Sequence, residues 1–471
     1  MTDLFRPIYH FTPKNRWMND PNGMVYYRGE YHLFYQHHPE SDVWGPMHWG
    51  HAVSMDLTHW RHLPIALAPD ENGMIFSGSA VIDWMNSAGF GNEAMVAIFT
   101  HHNDGIQSQS IAFSLDNGRT FTKYAGNPVI PSPGKGFDFR DPKVIRHQDH
   151  WVMLLAAKDS ILFFTSKNLR EWQPSGKFGG GNWGCTEGVW ETPDLFELPI
   201  EDSNQTAWVL TVGVGDGFSL GSGTQYFLGN FDGEKFTCED PPRKVRWMDH
   251  GADFYAPQSF SDASDGRRIM IAWMSNWRYA IHTPTVGWRS EMSIPRQILL
   301  RKVGGQLVLI QRPIREIDIL PRKTLFKVDH QLITENTTAE SHFVFRSGQI
   351  KMRVAVDGIK YPFGWDLFVS GDNCVKVRVD PVQMAVSIDR SVSSNLDFHP
   401  FFSAIHQAAF VSKDGLLDLE IYIDRSSIEV FCQGGETCIT DLIFPGLDIE
   451  HRLVLPTSGL LVDHLQVTQL G

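Results

Sequence analysis

Cysteine is scarce in this 471-residue chain: five, at Cys185, Cys238, Cys374, Cys432 and Cys438. An odd number without paired metal-ligand spacing reads as reduced thiols, which points to the cytoplasm, or to secretion if a leader preceded the chain. The opening MTDLFRPIYHF carries an early acid and lacks the basic-then-apolar pattern of a signal peptide. No apolar window approaches the length of a membrane span, so no membrane partner is expected. Basic residues are outnumbered, 41 against 54 acids, and the net charge of −13 argues against nucleic acid, which is bound through basic patches. No run of like charge forms a tail. His37, His38, His101 and His102 come without matching carboxylates and read as rim or core histidines, so neither metal nor cofactor is expected. Homodimerisation is left open.

Helical periodicity is also missing. What is there instead is aromatic: 31 Phe, 15 Trp and 11 Tyr, a usage that suits pleated faces. Short strand-like runs such as WVMLLAA, ILFFTS and AWVLTVGVG alternate with clusters of Gly, Asn, Asp and Pro. The chain reads as all-β, and its length exceeds one hydrophobic core. A weak repeat runs through the first half. Ser54-Met55-Asp56-Leu57-Thr58-His59-Trp60 is echoed by Ser166-Lys167-Asn168-Leu169-Arg170-Glu171-Trp172, and more loosely by Ser114 to Phe121 and Phe231 to Phe236. Strand end, turn and aromatic return at an interval that suits a four-stranded propeller blade, and about five blades fit before residue 310. Later strands alternate more cleanly, as in VKVRVDP and LDLEIYIDRSSIEVFCQ, the texture of a β-sandwich. The expected organisation is a five-bladed β-propeller over 1–315, a linker over 316–325 and a C-terminal β-sandwich over 326–471, the last a structural partner with little chemistry of its own.

A propeller brings residues distant in sequence to one axial funnel, and three acids stand out by their surroundings. Asp20 lies in NRWMNDPNG, which reads as a turn anchored by Trp17 and Met18. Asp141 lies in FDFRDPKV after Arg140, and Glu191 in EGVWETPDLFEL after Trp190. Each is followed by Pro one or two positions on, which fixes the backbone and removes a competing N–H donor. Glu187 competes with Glu191, because spacing alone places both on one strand face. Two carboxylates about 5–5.5 Å apart hydrolyse a glycoside with retention, one attacking the anomeric carbon and the other protonating the leaving oxygen. Burial beside Trp190 would keep Glu191 protonated, and Arg140 would keep Asp141 ionised if the backbone bends between them.

WMNDPNG (17–23), FSGSAV (76–81), FRDPKV (139–144) and WETPDLFEL (190–198), in that order, resemble glycoside hydrolase family 32, the invertases, levanases and inulinases; HWGHAVSMDLTHW, AWMSNWRYA and IDRSSIEVF extend the likeness to the C-terminus. The resemblance implies a five-bladed propeller followed by a β-sandwich. It implies Asp20 as nucleophile, Glu191 rather than Glu187 as acid/base and Asp141 as transition-state stabiliser. Asn19, Gln36, Trp44, Phe76, Ser77, Arg140 and Trp273 match positions lining the terminal fructose subsite. The implied activity is release of terminal fructose from fructans, fructo-oligosaccharides and sucrose, without a metal. The rivals are a fructosyltransferase using the same fructosyl-enzyme and a fructan-binding protein without catalysis. Thr192 stands where the family usually has Cys, which is expected to act on the acid/base, and YQHHP departs from the commoner rim pair. The loops around Trp44 lack the basic residues a substrate phosphate would want.

Overall fold

Gly, Pro and Asx residues cut the chain into short strands, and their pairing sorts them into seven antiparallel-rich sheets. The computed structural model describes residues 3–263, 265–334 and 342–471; the rest of the two expected domains, residues 1, 2, 264 and 335–341, lies outside them. Five sheets are blades. Their first strands are Arg16–Tyr27, Met74–Asp83, Arg140–His147, Trp190–Pro199 and Tyr255–Ser259. Each of these packs against the next, and the fifth packs against the first, which closes the ring. Trp288–Arg289, from the fifth blade's connection, pairs parallel with the start of Arg16–Tyr27 and ties the closure. The two remaining sheets, six strands each, form the β-sandwich. Its first strand, Arg322–Ile333, begins inside the stretch expected as linker. It can start there because Pro321, which has no N–H to donate, immediately precedes the first paired residue, Arg322 opposite Leu470. All five cysteines are free thiols, and among the described residues no helix is long and apolar enough to cross a membrane.

The repeat seen in sequence is the turn between the third and fourth strands of blades one to four. Asp56 Oδ1 accepts from the backbone N–H of Thr58 and His59, and Asn168 Oδ1 from Arg170 and Glu171. Asp116 Oδ1 accepts from Arg119 and Thr120, and Asp232 Oδ1 from Glu234 and Lys235. A short polar side chain thus satisfies the turn's free donors, which is why Asx recurs there. The aromatic that follows closes two of these turns: Trp60 Nε1 donates to Leu57 O and Trp172 Nε1 to Leu169 O. In the fifth blade, Gly304-Gly305 makes the same connection, and the echo ends.

Beneath the funnel the axis is filled by polar cross-links between blades. Lys143 Nζ donates to Asp194 at 3.0 Å, to Gln258 Oε1 at 3.3 Å and to Ser259 O at 3.0 Å, joining blades three, four and five. Ser79 Oγ donates to Pro142 O and accepts from Val144 N, joining blades two and three. The segment Asn19–Gly23, expected as a turn, lies inside the strand Arg16–Tyr27, whose ladder slips register twice, between Met18 and Pro21 and between Asn22 and Val25. Gly23 supplies the second slip with φ of +57°, and a Cβ there would stand 2.6 Å from the Phe34 ring and 2.7 Å from Trp49. Gly23→Ala is therefore expected to cost about 2–4 kcal/mol, read as a lower denaturation midpoint.

Candidate active site

Every first strand of a blade carries a β-bulge near its start, and the candidate residues sit on those bulges. The slips fall at Asn19-Asp20, Phe76-Ser77, Asp141-Pro142, Thr192-Pro193 and Ala256-Pro257. A bulge leaves one residue out of the ladder and re-aims its neighbour. Asp141, Thr192 and Ala256 take left-handed φ of +60°, +46° and +51°. Proline next to these positions removes an N–H that the interrupted ladder could not pair. The side chains from five blades thereby turn into one cavity of about 430 Å³, whose wall includes Asp20, Asp141, Glu191, Arg140, Gln36 and Trp277.

Asp20 is buried and receives a donor on each oxygen: Asn19 Nδ2 to Oδ1 at 3.0 Å and Ser77 Oγ to Oδ2 at 2.8 Å. Asn19 is itself oriented by Trp17 Nε1, 2.7 Å from its Oδ1. Glu191 is addressed differently. Arg140 donates to its Oε1 from Nε at 3.2 Å and Nη2 at 3.0 Å, and the buried Tyr255 hydroxyl donates to its Oε2. The same guanidinium bonds Asp138 at 2.5 Å. Asp141 Oδ2 accepts from the backbone N–H of Thr192 at 2.9 Å, and its own N–H donates to Thr100 Oγ1. Glycine at 215 leaves room for Glu191, because a Cβ there would lie 3.0 Å from Oε2.

Burial pushes the Asp20 carboxyl up to about 6, the charge of Glu191 adds to this, and the Asn19 and Ser77 donors oppose it. Burial pushes Asp141 up to about 7; Arg140 pulls it down while Glu191 and Asp20 push it up. Burial, then Glu191, raises the Tyr255 phenol well above its usual range, so it stays a donor. The expectation that Arg140 holds Asp141 ionised is thus corrected: the guanidinium does pull the Asp141 carboxyl down, but burial outweighs it, and the guanidinium hydrogen-bonds Glu191 and Asp138. Trp190 does not shelter Glu191 either. It is fully buried between blades, donates to Cys185 O and packs on Phe178 and Phe227.

Residues 10–313 match the model of the glycosyl hydrolases family 32 N-terminal domain, and residues 322–468 that of the family's C-terminal domain. The chain belongs to glycoside hydrolase family 32. It is 50% identical to a levanase of Bacillus subtilis over 455 residues, spanning 94% of this chain and 66% of that protein. It is 36% identical to an extracellular exo-inulinase of Aspergillus awamori, spanning 98% and 93% of the two chains. The crystal structure of the A. awamori exo-inulinase superposes with a TM-score of 0.90 at 34% identity, over 99% of this chain and 98% of that one. A β-fructofuranosidase of Schwanniomyces occidentalis complexed with fructosyl-erythritol gives 0.90 and 34%, over 100% and 98%.

In this family 32 enzyme, Asn19, Asp20, Gln36, Trp44, Phe76, Ser77, Arg140, Asp141 and Glu191 all line the cavity. Gln36 Nε2 has no partner among the described residues. Trp44, 41% exposed, meets Phe76 edge to face at the rim, and Phe76 stacks on His102 at 4.5 Å. His37 serves the first strand, its Nδ1 bonded to Trp17 O at 2.7 Å. Trp273 is fully buried and stands one layer back, behind Trp277 and beside Tyr255. Glu187 is exposed in a bend, because the strand begins only at Trp190. Among the described residues the Thr192 hydroxyl has no hydrogen-bond partner, Glu191 included; residue 192 reaches the site through its backbone N–H to Asp141. Tyr255, Trp277, Val189 and Gly215 escaped the sequence reading. Tyr255 carried a usable signal: Tyr255-Ala256-Pro257 has the spacing of Glu191-Thr192-Pro193.

Proposed function

We propose that this family 32 enzyme is a retaining, exo-acting β-fructofuranosidase that removes terminal fructose from fructans, fructo-oligosaccharides and sucrose. One observation carries the assignment of roles: the carboxylates of the cavity wall differ in their donors. Asp20 has only neutral donors on its oxygens and no cation against it, so its charge is available for attack. Glu191, at the cavity wall between Arg140 and Tyr255, is the group placed to exchange a proton. In the first step Asp20 attacks the anomeric carbon, the glycosidic C–O bond breaks, and the leaving oxygen takes the proton of Glu191. In the second, Glu191 takes a proton from water, the oxygen attacks the same carbon, and Asp20 departs as a carboxylate. Asp141 accepts hydrogen bonds from the fructose hydroxyls as positive charge develops on the ring.

The relatives named levanase and exo-inulinase support the substrate class, as do neighbours solved with fructosyl ligands. The test is incubation with sucrose, inulin and levan. Free fructose is expected from all three, with the polymers shortening from the end; release from none overturns the reading. Products longer than the donor at high sucrose would assign transfer to a sugar acceptor instead of water.

A further inference from the structure

The segment leading into Tyr255 is held by the other domain. Residues His250–Asp253 run along the sandwich strand Thr437–Leu442: His250 N donates to Cys438 O at 2.9 Å and Asp253 N to Thr440 O at 3.1 Å. Ala252 N donates to Asp441 Oδ1 at 3.0 Å, and Leu442 N to Asp253 Oδ2 at 2.9 Å. At the centre is a fully buried guanidinium, Arg390, from the sandwich. Its Nη1 donates to Asp253 Oδ2 at 2.8 Å and to Leu442 O at 2.8 Å, Nη2 to the Tyr279 hydroxyl at 3.0 Å, and Nε to Phe402 O at 2.7 Å. Tyr279 in turn donates to Asp253 Oδ1 at 2.7 Å. Asp253 stands two residues before Tyr255, and Tyr279 two residues after the wall residue Trp277. Asn276 Nδ2 ties these two stretches directly, donating to Ala252 O at 2.8 Å.

We propose that Arg390 of the sandwich is a positioning residue for the reaction, acting through Asp253 and Tyr255 to hold Glu191 where it exchanges its proton with the glycosidic oxygen. The proposal rests on the role given to Glu191 above. A buried ion pair is weak evidence for stability, since the desolvation of both charges offsets most of the attraction, but it fixes geometry well. Arginine suits this site because a rigid planar fork addresses several acceptors at once, which an ammonium cannot do. The sandwich thereby completes the propeller's catalytic wall, beyond covering one of its faces.

Misplaced proton donation harms poor leaving groups most, because nitrophenolate departs without a proton whereas the glucose of sucrose does not. Arg390→Lys is therefore expected to slow the first turnover of sucrose by about 30-fold, with the first-turnover release of nitrophenol from nitrophenyl β-fructofuranoside slowed less than about threefold. Tyr255→Phe should discriminate in the same direction. The double variant should lose no more than Tyr255→Phe alone, because both act through one hydrogen bond. Equal slowing of the two substrates, or losses that multiply, overturns the proposal. If Arg390→Lys does not fold, Tyr279→Phe, which removes one donor from Asp253, is read by the same pair of substrates. Glu191→Gln is the control, read in the first turnover because the second step is common to both substrates. If it slows the first turnover of both alike, the role of Glu191 falls; if it discriminates there and Arg390→Lys does not, only the present proposal falls.

Discussion

Asp20→Asn is expected to slow fructose release from sucrose by about 10⁵-fold while making the protein more stable at neutral pH. The rate falls because an amide cannot form the fructosyl ester. The stability gain follows from burial, which raises the Asp20 carboxyl from its ordinary value near 3.8 to about 6. A carboxyl raised in the folded state contributes stability that is fully present below pH 3.8 and lost as pH passes through 6. Above that the parent carries the cost of a desolvated charge, which the neutral amide avoids, a difference of up to about 3 kcal/mol. The substitution fits the site, since the amide oxygen can accept from Asn19 and its nitrogen can donate to Ser77 Oγ. Thermal unfolding should separate variant from parent at pH 7 and bring them together near pH 4. In the parent, kcat/KM should rise with pH through about 6 as the attacking carboxylate forms. A variant that is no more stable than the parent at pH 7, or that keeps its activity, counts against the nucleophile assignment.

The propeller was legible because the turn between third and fourth strands needs a short acceptor side chain, so Asp56, Asp116, Asn168 and Asp232 left a repeat in the text. The three acids were legible for a related reason. A bulge leaves an N–H without a ladder partner, and proline removes it, so Asp20, Asp141 and Glu191 each precede a proline closely. The same chemistry explains the error at Asn19–Gly23. Residues that tolerate a bulge are those that build a turn, and only the pairing of Trp17 with His38 and of Pro21 with Tyr35 separates the two. Tyr255 shares the proline spacing, but a tyrosine in that pattern does not by itself point to glycoside chemistry as an acid does.

Side-chain direction was harder to read. Neighbours in a strand face opposite ways, which sends Trp190 into the blade contact and Glu191 to the funnel, so adjacency in sequence said nothing about shelter. At Arg140-Asp141 the bulge decides, since φ of +60° at Asp141 redirects the chain within one residue. The link between Asp253 and Arg390 joins single polar residues 137 positions apart, without periodicity or motif to announce it. Cross-domain positioning of this kind lives in the packing alone.

Glu191→Gln is expected to cut kcat on sucrose by about 10³-fold and to spare the first step on substrates whose leaving group needs no proton. The replacement keeps the shape of the side chain, so the cavity should stay intact: an amide oxygen toward Arg140 retains both guanidinium contacts on that atom. The amide nitrogen would then face the Tyr255 hydroxyl, which must rotate to accept where it had donated. What the variant loses is the mobile proton. The first step on nitrophenyl β-fructofuranoside should proceed at close to the parent rate, and the second should lag because no base activates water. The fructosyl-enzyme on Asp20 should then accumulate, visible as a burst of nitrophenol followed by a slow steady rate. Added azide, a nucleophile that needs no base, should relieve the lag and yield a fructosyl azide of retained configuration. Asp20→Ala with azide should instead give the inverted azide, because attack then occurs once and from the vacated face. Exchange of these two stereochemical outcomes between the variants would reverse the roles of Asp20 and Glu191 while leaving the cavity and the reaction class as they stand.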